Sequence, residues 1–475
     1  MLRRSTLACV IAAACAAATH AAGPAPTTRT LHTLPGVVVP IPTVTHPASM
    51  TAPGYVFVAE KGTGKPGGPM IIDNKGRVIW YQPLVAPVQA TDFRVQRYRG
   101  RRVLTWWVGK ISKAGVGRGS YVIYDEAYHL VARVHASRGL AGDLHEFQLT
   151  PRGTAYMTVY HEVPADLSRI GGPKRGWVYD SIVEEVDVAT GRVVFEWHSL
   201  GHVPLSESTE ANRKPARDAT RKQPLDYFHV NSIADGPGGT ILVSGRNTST
   251  IYLLGRDGHI IWRLGGKHSD FGPPSAVGFA YQHDARLHPG NLLTLFDNGG
   301  IPRVEPYSRP LEIHIDLATM RAAIVGTFLA PRRIASPFEG NLQLLPDGGA
   351  FVGWGGVRIV SEFSPSGSLR FELKLPYGDT YRAYRSIWTG RPSAPPRAAV
   401  SPGTVYASWN GETGIARWQA LAGPDKSHLE VVGSARWSDL ETAIPADTFS
   451  AKVVAVRALD ARGRVLGVSP VVPTR

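Results

Sequence analysis

Three histidines occupy one repeated position in this 475-residue chain: His145 in HEFQL, His229 in FHVNSI and His283 in QHDARL. Each stands four residues before an aliphatic residue, Leu149, Ile233 or Leu287. One such histidine is commonly a hydrogen-bonded structural residue, but three in register imply imidazoles that converge. Converging imidazoles can supply a nucleophile and a general acid or base near pH 7, or, with a water, a zinc site. The neighbours decide between these. Asn231 follows His229 by two positions, on the same face of an alternating strand, and Arg246 ends the paired strand in SGRNTS. A guanidinium is repelled by a divalent cation, whereas it offers paired donors to a sulfate or phosphate oxyanion. Oxyanion chemistry without a metal or other cofactor is therefore expected.

What must position these residues is a repeat of hairpins. One theme, an apolar strand, an Asp/Gly turn and a β-branched strand, recurs in six copies that begin at Pro69, Ser120, Ser181, Ser249, Arg309 and Val357. A second theme, an inner strand with a turn such as LLPDGG, alternates with it in five copies from Phe93, Leu144, Phe228, Gln282 and Glu339. Two hairpins per unit make four antiparallel strands. Ring closure removes the exposed edges that so large a sheet would otherwise present, so the sequence reads as an all-β, six-bladed β-propeller over residues 51–392. Inner strands face the channel, where equivalent histidines meet. Trp106, Trp107 and Trp177 read as blade core.

After Pro392 the composition shifts to the linker SAPPRAAVSP, and short alternating strands such as TVYASWNG and AKVVAVRALD follow. Residues 398–475 are expected to form an immunoglobulin- or fibronectin-like β-sandwich, and a chain ending near Pro392 is expected to fold without it.

Residues 1–21 have the order of a secretory leader, with Arg3 and Arg4 before a short apolar run and a small-residue end, followed by an extension over 22–50. Export to the periplasm, cell envelope or medium is expected, without a transmembrane anchor, since no later run is long and apolar enough. A lipoprotein box at Cys15 lacks its usual large aliphatic residue. Both cysteines, Cys9 and Cys15, fall inside the leader, which excludes disulfides from the mature chain. The formal charge of +14, two units of which leave with Arg3 and Arg4, favours anionic partners. Nucleic acid is not among them, because the basic residues are scattered in short clusters such as Arg99-Gly100-Arg101-Arg102.

The ordered motifs HEFQL, FHVNSI with SGRNTS, YQHDARL, EGNLQLLPDGG and YRAYRSIW resemble those of bacterial arylsulfotransferases. The resemblance implies transfer of a sulfuryl group from a phenolic sulfate ester to a phenol, without a nucleotide sulfate donor, through a covalent sulfohistidine. It implies His283 as the nucleophile, with His145, His229, Asn231 and Arg246 around the transferring group. A small-molecule aryl sulfate donor and a phenol acceptor are the implied partners. The absence of cysteines from the mature chain and the added C-terminal domain depart from the family pattern. The competing expectation is a non-catalytic secreted propeller that binds an anionic glycan or cell-wall ligand in its channel.

Overall fold

The computed structural model describes residues 28–61, 67–272 and 277–474. The leader over 1–21, with its cysteines, lies outside these residues. The chain is all-β, and its strands pair antiparallel in consecutive meanders. The six outer hairpins of the sequence are present, for example Thr250–Leu254 with Ile260–Gly265 and Arg309–Asp316 with Arg321–Thr327. Each outer hairpin extends an inner one, as where Val230–Asp235 and Ile241–Gly245 precede Thr250–Leu254 in one four-stranded sheet.

One inner hairpin is assembled from both ends of this region. Thr380–Ser386 pairs with Tyr55–Glu60, which continues into Gly68–Ile72 and Val78–Tyr81. Only five inner copies are visible in the sequence because the halves of this sixth one lie more than three hundred residues apart. The inner strands Thr380–Ser386, Gln89–Tyr98, Gly142–Leu149, Val230–Asp235, His283–His288 and Asn341–Leu344 pack side by side, and the last returns to the first. Thr43–His46, from the stretch read as an extension, pairs with Leu369–Lys374 and belongs to the adjoining sheet.

Apolar clusters fill the space between neighbouring sheets. In one, Trp80, Phe93 and Trp106 stack or meet edge to face, with Phe93 and Trp106 ring centroids 5.6 Å apart. Trp107 is buried in the next cluster and donates to the Gly142 carbonyl at 2.9 Å. Both are core residues, as their strand positions imply.

Five of the six inner strands share one irregularity, and Asn341–Leu344 alone pairs in regular register. A β-bulge interrupts pairing between Thr91 and Arg94, Gly142 and Phe147, Val230 and Ser232, His283 and Arg286, and Thr380 and Ala383. A bulge re-aims side chains and breaks the two-residue period. Asp92, His229 and Asp284 have φ between 54° and 57°, as the bulges require.

Beyond Pro392, the sheet of Arg397–Ser401, Thr404–Ser408 and Glu441–Pro445 and the five-stranded sheet centred on Arg417–Gly423 and Val453–Leu459 share one apolar cluster around Trp418, Ile444 and Val456. This domain does not stand free. Asn410 exchanges two hydrogen bonds with the backbone of Tyr81 at 3.0 and 2.9 Å, Asp439 accepts from Val78 N–H at 3.0 Å, and Gly411 N–H donates to Ile79 at 2.9 Å. The domain thus covers the outer edge of Val78–Tyr81, an edge that would otherwise offer unpaired backbone groups. The tail is thus docked on Val78–Tyr81, and truncation tests the expectation that a chain ending near Pro392 folds. Truncation after Pro392 should lower stability by a few kcal/mol, at roughly 1 kcal/mol per lost hydrogen bond plus the uncovered apolar contacts. Comparison of urea midpoints checks this; an unchanged midpoint would show that the edge contacts contribute nothing.

Candidate active site

The strand starts bring His145, His229 and His283 to one cavity of about 710 Å³, which Arg246, Asp226, Lys61, Glu339 and Asp379 also line. All three rings are buried, at 3%, 8% and 2% exposure. The His145 and His229 centroids lie 4.7 Å apart, nearly perpendicular, and Tyr381 meets both His145 and His283 edge-on.

The rings differ in what holds them. Nδ1 of His145 pairs with Asp143 and Nδ1 of His229 with Asp226, whereas Nδ1 of His283 meets Oδ1 of Asn298 at 2.6 Å. Asn298 cannot be turned round, because its Nδ2 donates to the carbonyls of Ser336 and Glu339 at 3.2 and 2.8 Å. His283 therefore carries its proton on Nδ1. Its Nε2 presents a lone pair at the cavity, where the Glu339 N–H approaches at 3.3 Å, long enough to give way readily.

Burial first, then the Arg246 charge, pushes His283 well below the usual histidine pKa, so the ring is neutral at pH 7. Burial lowers His229 as well, although Asp226 pulls the other way. An imidazole whose Nδ1–H is fixed on a carboxylate can accept or release a proton at Nε2. The site thus holds one neutral imidazole fixed by an amide and two imidazoles fixed by carboxylates.

Arg246 follows Ile241–Gly245, and its backbone N–H donates to the His229 carbonyl at 3.0 Å. Its guanidinium donates to Asn247 Oδ1 at 2.8 Å and lies 5.0 Å over the Tyr281 ring. Among the described residues no carboxylate forms an ion pair with it, and burial lowers its pKa from the ordinary arginine value. A guanidinium kept in such a place without an acid is suited to an anion brought from outside.

Asn231 is not brought to the cavity. Its side chain is fully buried and donates to the Gln282 carbonyl at 2.7 Å, because the bulge between Val230 and Ser232 turns it away from the His229 face. It braces the residue before His283.

Several site residues went unread in the sequence. Lys61 pairs with Glu339 and, at 3.0 Å, with Asp379. Glu339 holds φ at 64°, and the next residue must be glycine, since a Cβ on Gly340, at φ 102°, would come within 2.7 Å of the Phe296 ring. This explains the EGN motif. Asp143 stands two residues before His145, and Asp226 three before His229. That closeness was their only signal.

Directly behind the histidines lies a buried charge layer. Glu146, next to His145, receives Arg94 and Arg286 at 2.6 Å each and Arg382 at 3.2 Å, while Asp92 and Asp284 complete a balanced set of three acids and three arginines. Burial opposes ionisation of Glu146, but Arg286, Arg382 and Arg94 overcome it and hold the carboxyl below its usual range.

The strands and this cavity define an all-β protein with a histidine-lined site at its inner strands. A family model for arylsulfotransferases (ASST) matches residues 94–375, and the chain belongs to that family. Membership points to a sulfotransferase-like enzyme with aryl sulfates and phenols as small-molecule substrates. No curated protein matches the chain. Among solved structures, a protein of unknown function from Bacteroides caccae is similar at 13% identity and a TM-score of 0.43, over 70% of this chain and 98% of that one. One of unknown function from Dyadobacter fermentans is similar at 11% identity and a TM-score of 0.37, over 83% and 100%. Virginiamycin B lyase from Staphylococcus aureus is similar at 11% identity and a TM-score of 0.32, over 78% and 94%. Among the described residues no helix is long and apolar enough to cross a membrane.

Proposed function

We propose that this chain transfers a sulfuryl group from a phenolic sulfate ester to a phenol, without a nucleotide sulfate donor, through a sulfohistidine on His283. The observation that carries this reading is a neutral imidazole with its lone pair at the cavity, beside a guanidinium that forms no ion pair among the described residues. The donor sulfate lies against Arg246. Nε2 of His283 attacks sulfur, the ester S–O bond breaks, and the departing phenolate takes the Nε2 proton of His145 or His229, whichever enters the step as a carboxylate-paired imidazolium and leaves it neutral. The acceptor phenol then returns its proton to that imidazole while its oxygen attacks sulfur, the S–N bond breaks, and His283 is neutral again. Arg246 neutralises the sulfuryl oxygens throughout. Asn231 acts as a positioning residue through Gln282.

We read the sheets over 51–392 as six blades and residues 398–475 as an immunoglobulin- or fibronectin-like sandwich, with export directed by the leader at 1–21. The closed sequence of inner strands and the cluster shared by the two C-terminal sheets support this.

Incubation with a chromogenic aryl sulfate tests the activity. Phenol release should accelerate when a second phenol is added and should be indifferent to chelators. Saturable binding without turnover would instead favour a non-catalytic anion-binding protein.

Proton transfer makes a separate prediction. Substituting His145 or His229 by Gln should slow transfer from esters of high-pKa phenols by about 10² or more, and from good leaving groups far less. The plot of log kcat against leaving-group pKa should steepen in at least one variant. Equal losses across the series in both would remove them from proton transfer.

A further inference from the structure

The buried charge layer has a second cavity against it, of about 670 Å³, lined by Arg94 and Arg286 from the layer itself, by Arg385, and by Arg97 and Arg102. A neighbouring recess of about 550 Å³ shares Arg97 and Arg102 and adds Arg391. None of the histidines lines either space.

The arginines fall into two kinds. Those of the floor are neutralised: Arg94 and Arg286 by Glu146, and Arg385 by Glu362. Even so, Nη2 of Arg385, a residue only 3% exposed, has no hydrogen-bond partner. Those of the rim have no such compensation. Arg97 and Arg102 stand directly opposite each other in the hairpin of Gln89–Tyr98 and Arg101–Ile111, held there by the Arg99-Gly100 turn with φ of 49° and 78°. Like charges in that relation destabilise a sheet. Arg97 donates only to the Gly100 carbonyl, at 3.1 Å, and Glu126 is the one acid lining either space among the described residues. The hairpin therefore keeps an unfavourable pair of charges in front of a cavity walled by further arginines.

We propose that this mouth is a second anion site, which binds a short oligoanion carrying several sulfate or phosphate groups, independently of the chemistry at His283. A single ion would meet only part of the row of guanidiniums, whereas spaced oxyanions can meet the rim and the recess together. A flat anionic bilayer cannot reach Arg385.

Calorimetric titration of the full-length protein with inorganic tripolyphosphate and with a sulfated heparin hexasaccharide tests the site and separates the two sources of such groups. At least one probe should bind saturably, less tightly as salt rises. The double substitution Arg97→Ala/Arg102→Ala should weaken that binding at least ~10-fold without lowering the melting temperature, since it relieves a repulsion. Arg391→Ala should weaken it by about 3-fold and carries the test if the double variant does not fold. Arg246→Lys should leave this binding unchanged. Unchanged affinity in the rim variants would overturn the proposal, as would loss confined to Arg246→Lys, or attachment to phosphatidylglycerol vesicles with neither soluble probe bound.

Discussion

His283→Asn is expected to abolish both half-reactions together, lowering kcat by about 10⁴ or more, because the imidazole is the group that carries the sulfuryl. Asparagine is polar, planar and of similar size, so it can still meet Asn298 and the Glu339 N–H, and the fold should survive. It has no basic lone pair to form the adduct. The loss should therefore appear in kcat, with aryl sulfate binding retained through Arg246. Donor hydrolysis and acceptor sulfation, measured separately, should fall to the same extent. A variant that still exchanges sulfuryl groups between phenols would place the nucleophile elsewhere.

Arg246→Lys should cost about 10² to 10³ in kcat, despite conserving charge. The guanidinium is held over Tyr281 with one amino group on Asn247 and the other near the Pro337 carbonyl, 3.3 Å away, and this fixes its fork toward the cavity. An ammonium is a point charge on a flexible stem and cannot match several sulfuryl oxygens in one orientation. Because Arg246 forms no ion pair among the described residues, the substitution should not destabilise the fold, and thermal melts of the two proteins should agree within a few degrees. Near-normal turnover in a folded Arg246→Lys protein would remove Arg246 from the site.

Much of this arrangement was legible in the residues. The outer hairpins announce themselves through Asp/Gly turns between alternating strands, and five inner hairpins through turns such as LLPDGG. The sixth was hidden because Tyr55–Glu60 and Thr380–Ser386 meet only when the chain closes. The histidine register carried over because it depends on repeat position, not on pleat. Asn231 did not, since the two-residue rule presumes regular pairing and the bulge at Val230 to Ser232 removes it. The same bulges direct Glu146 and Asp284 into the charge layer although each adjoins a histidine of the cavity. Asn298 follows the strand Leu292–Asp297 and Glu339 precedes Asn341–Leu344, outside regular pairing, where spacing says nothing about which ring they meet. The structure distinguishes His283 from its two neighbours by an amide in place of a carboxylate at Nδ1, a difference made by partners distant in the chain.

The most direct measurement is mass spectrometry of the protein quenched under alkaline conditions during turnover of an aryl sulfate, where an N-sulfonated imidazole survives. The account predicts one added sulfuryl group, on the peptide that contains His283, which disappears when a phenol acceptor is supplied before the quench. A label on the peptide of His145 or His229, or no label in a protein that is turning over, would contradict it.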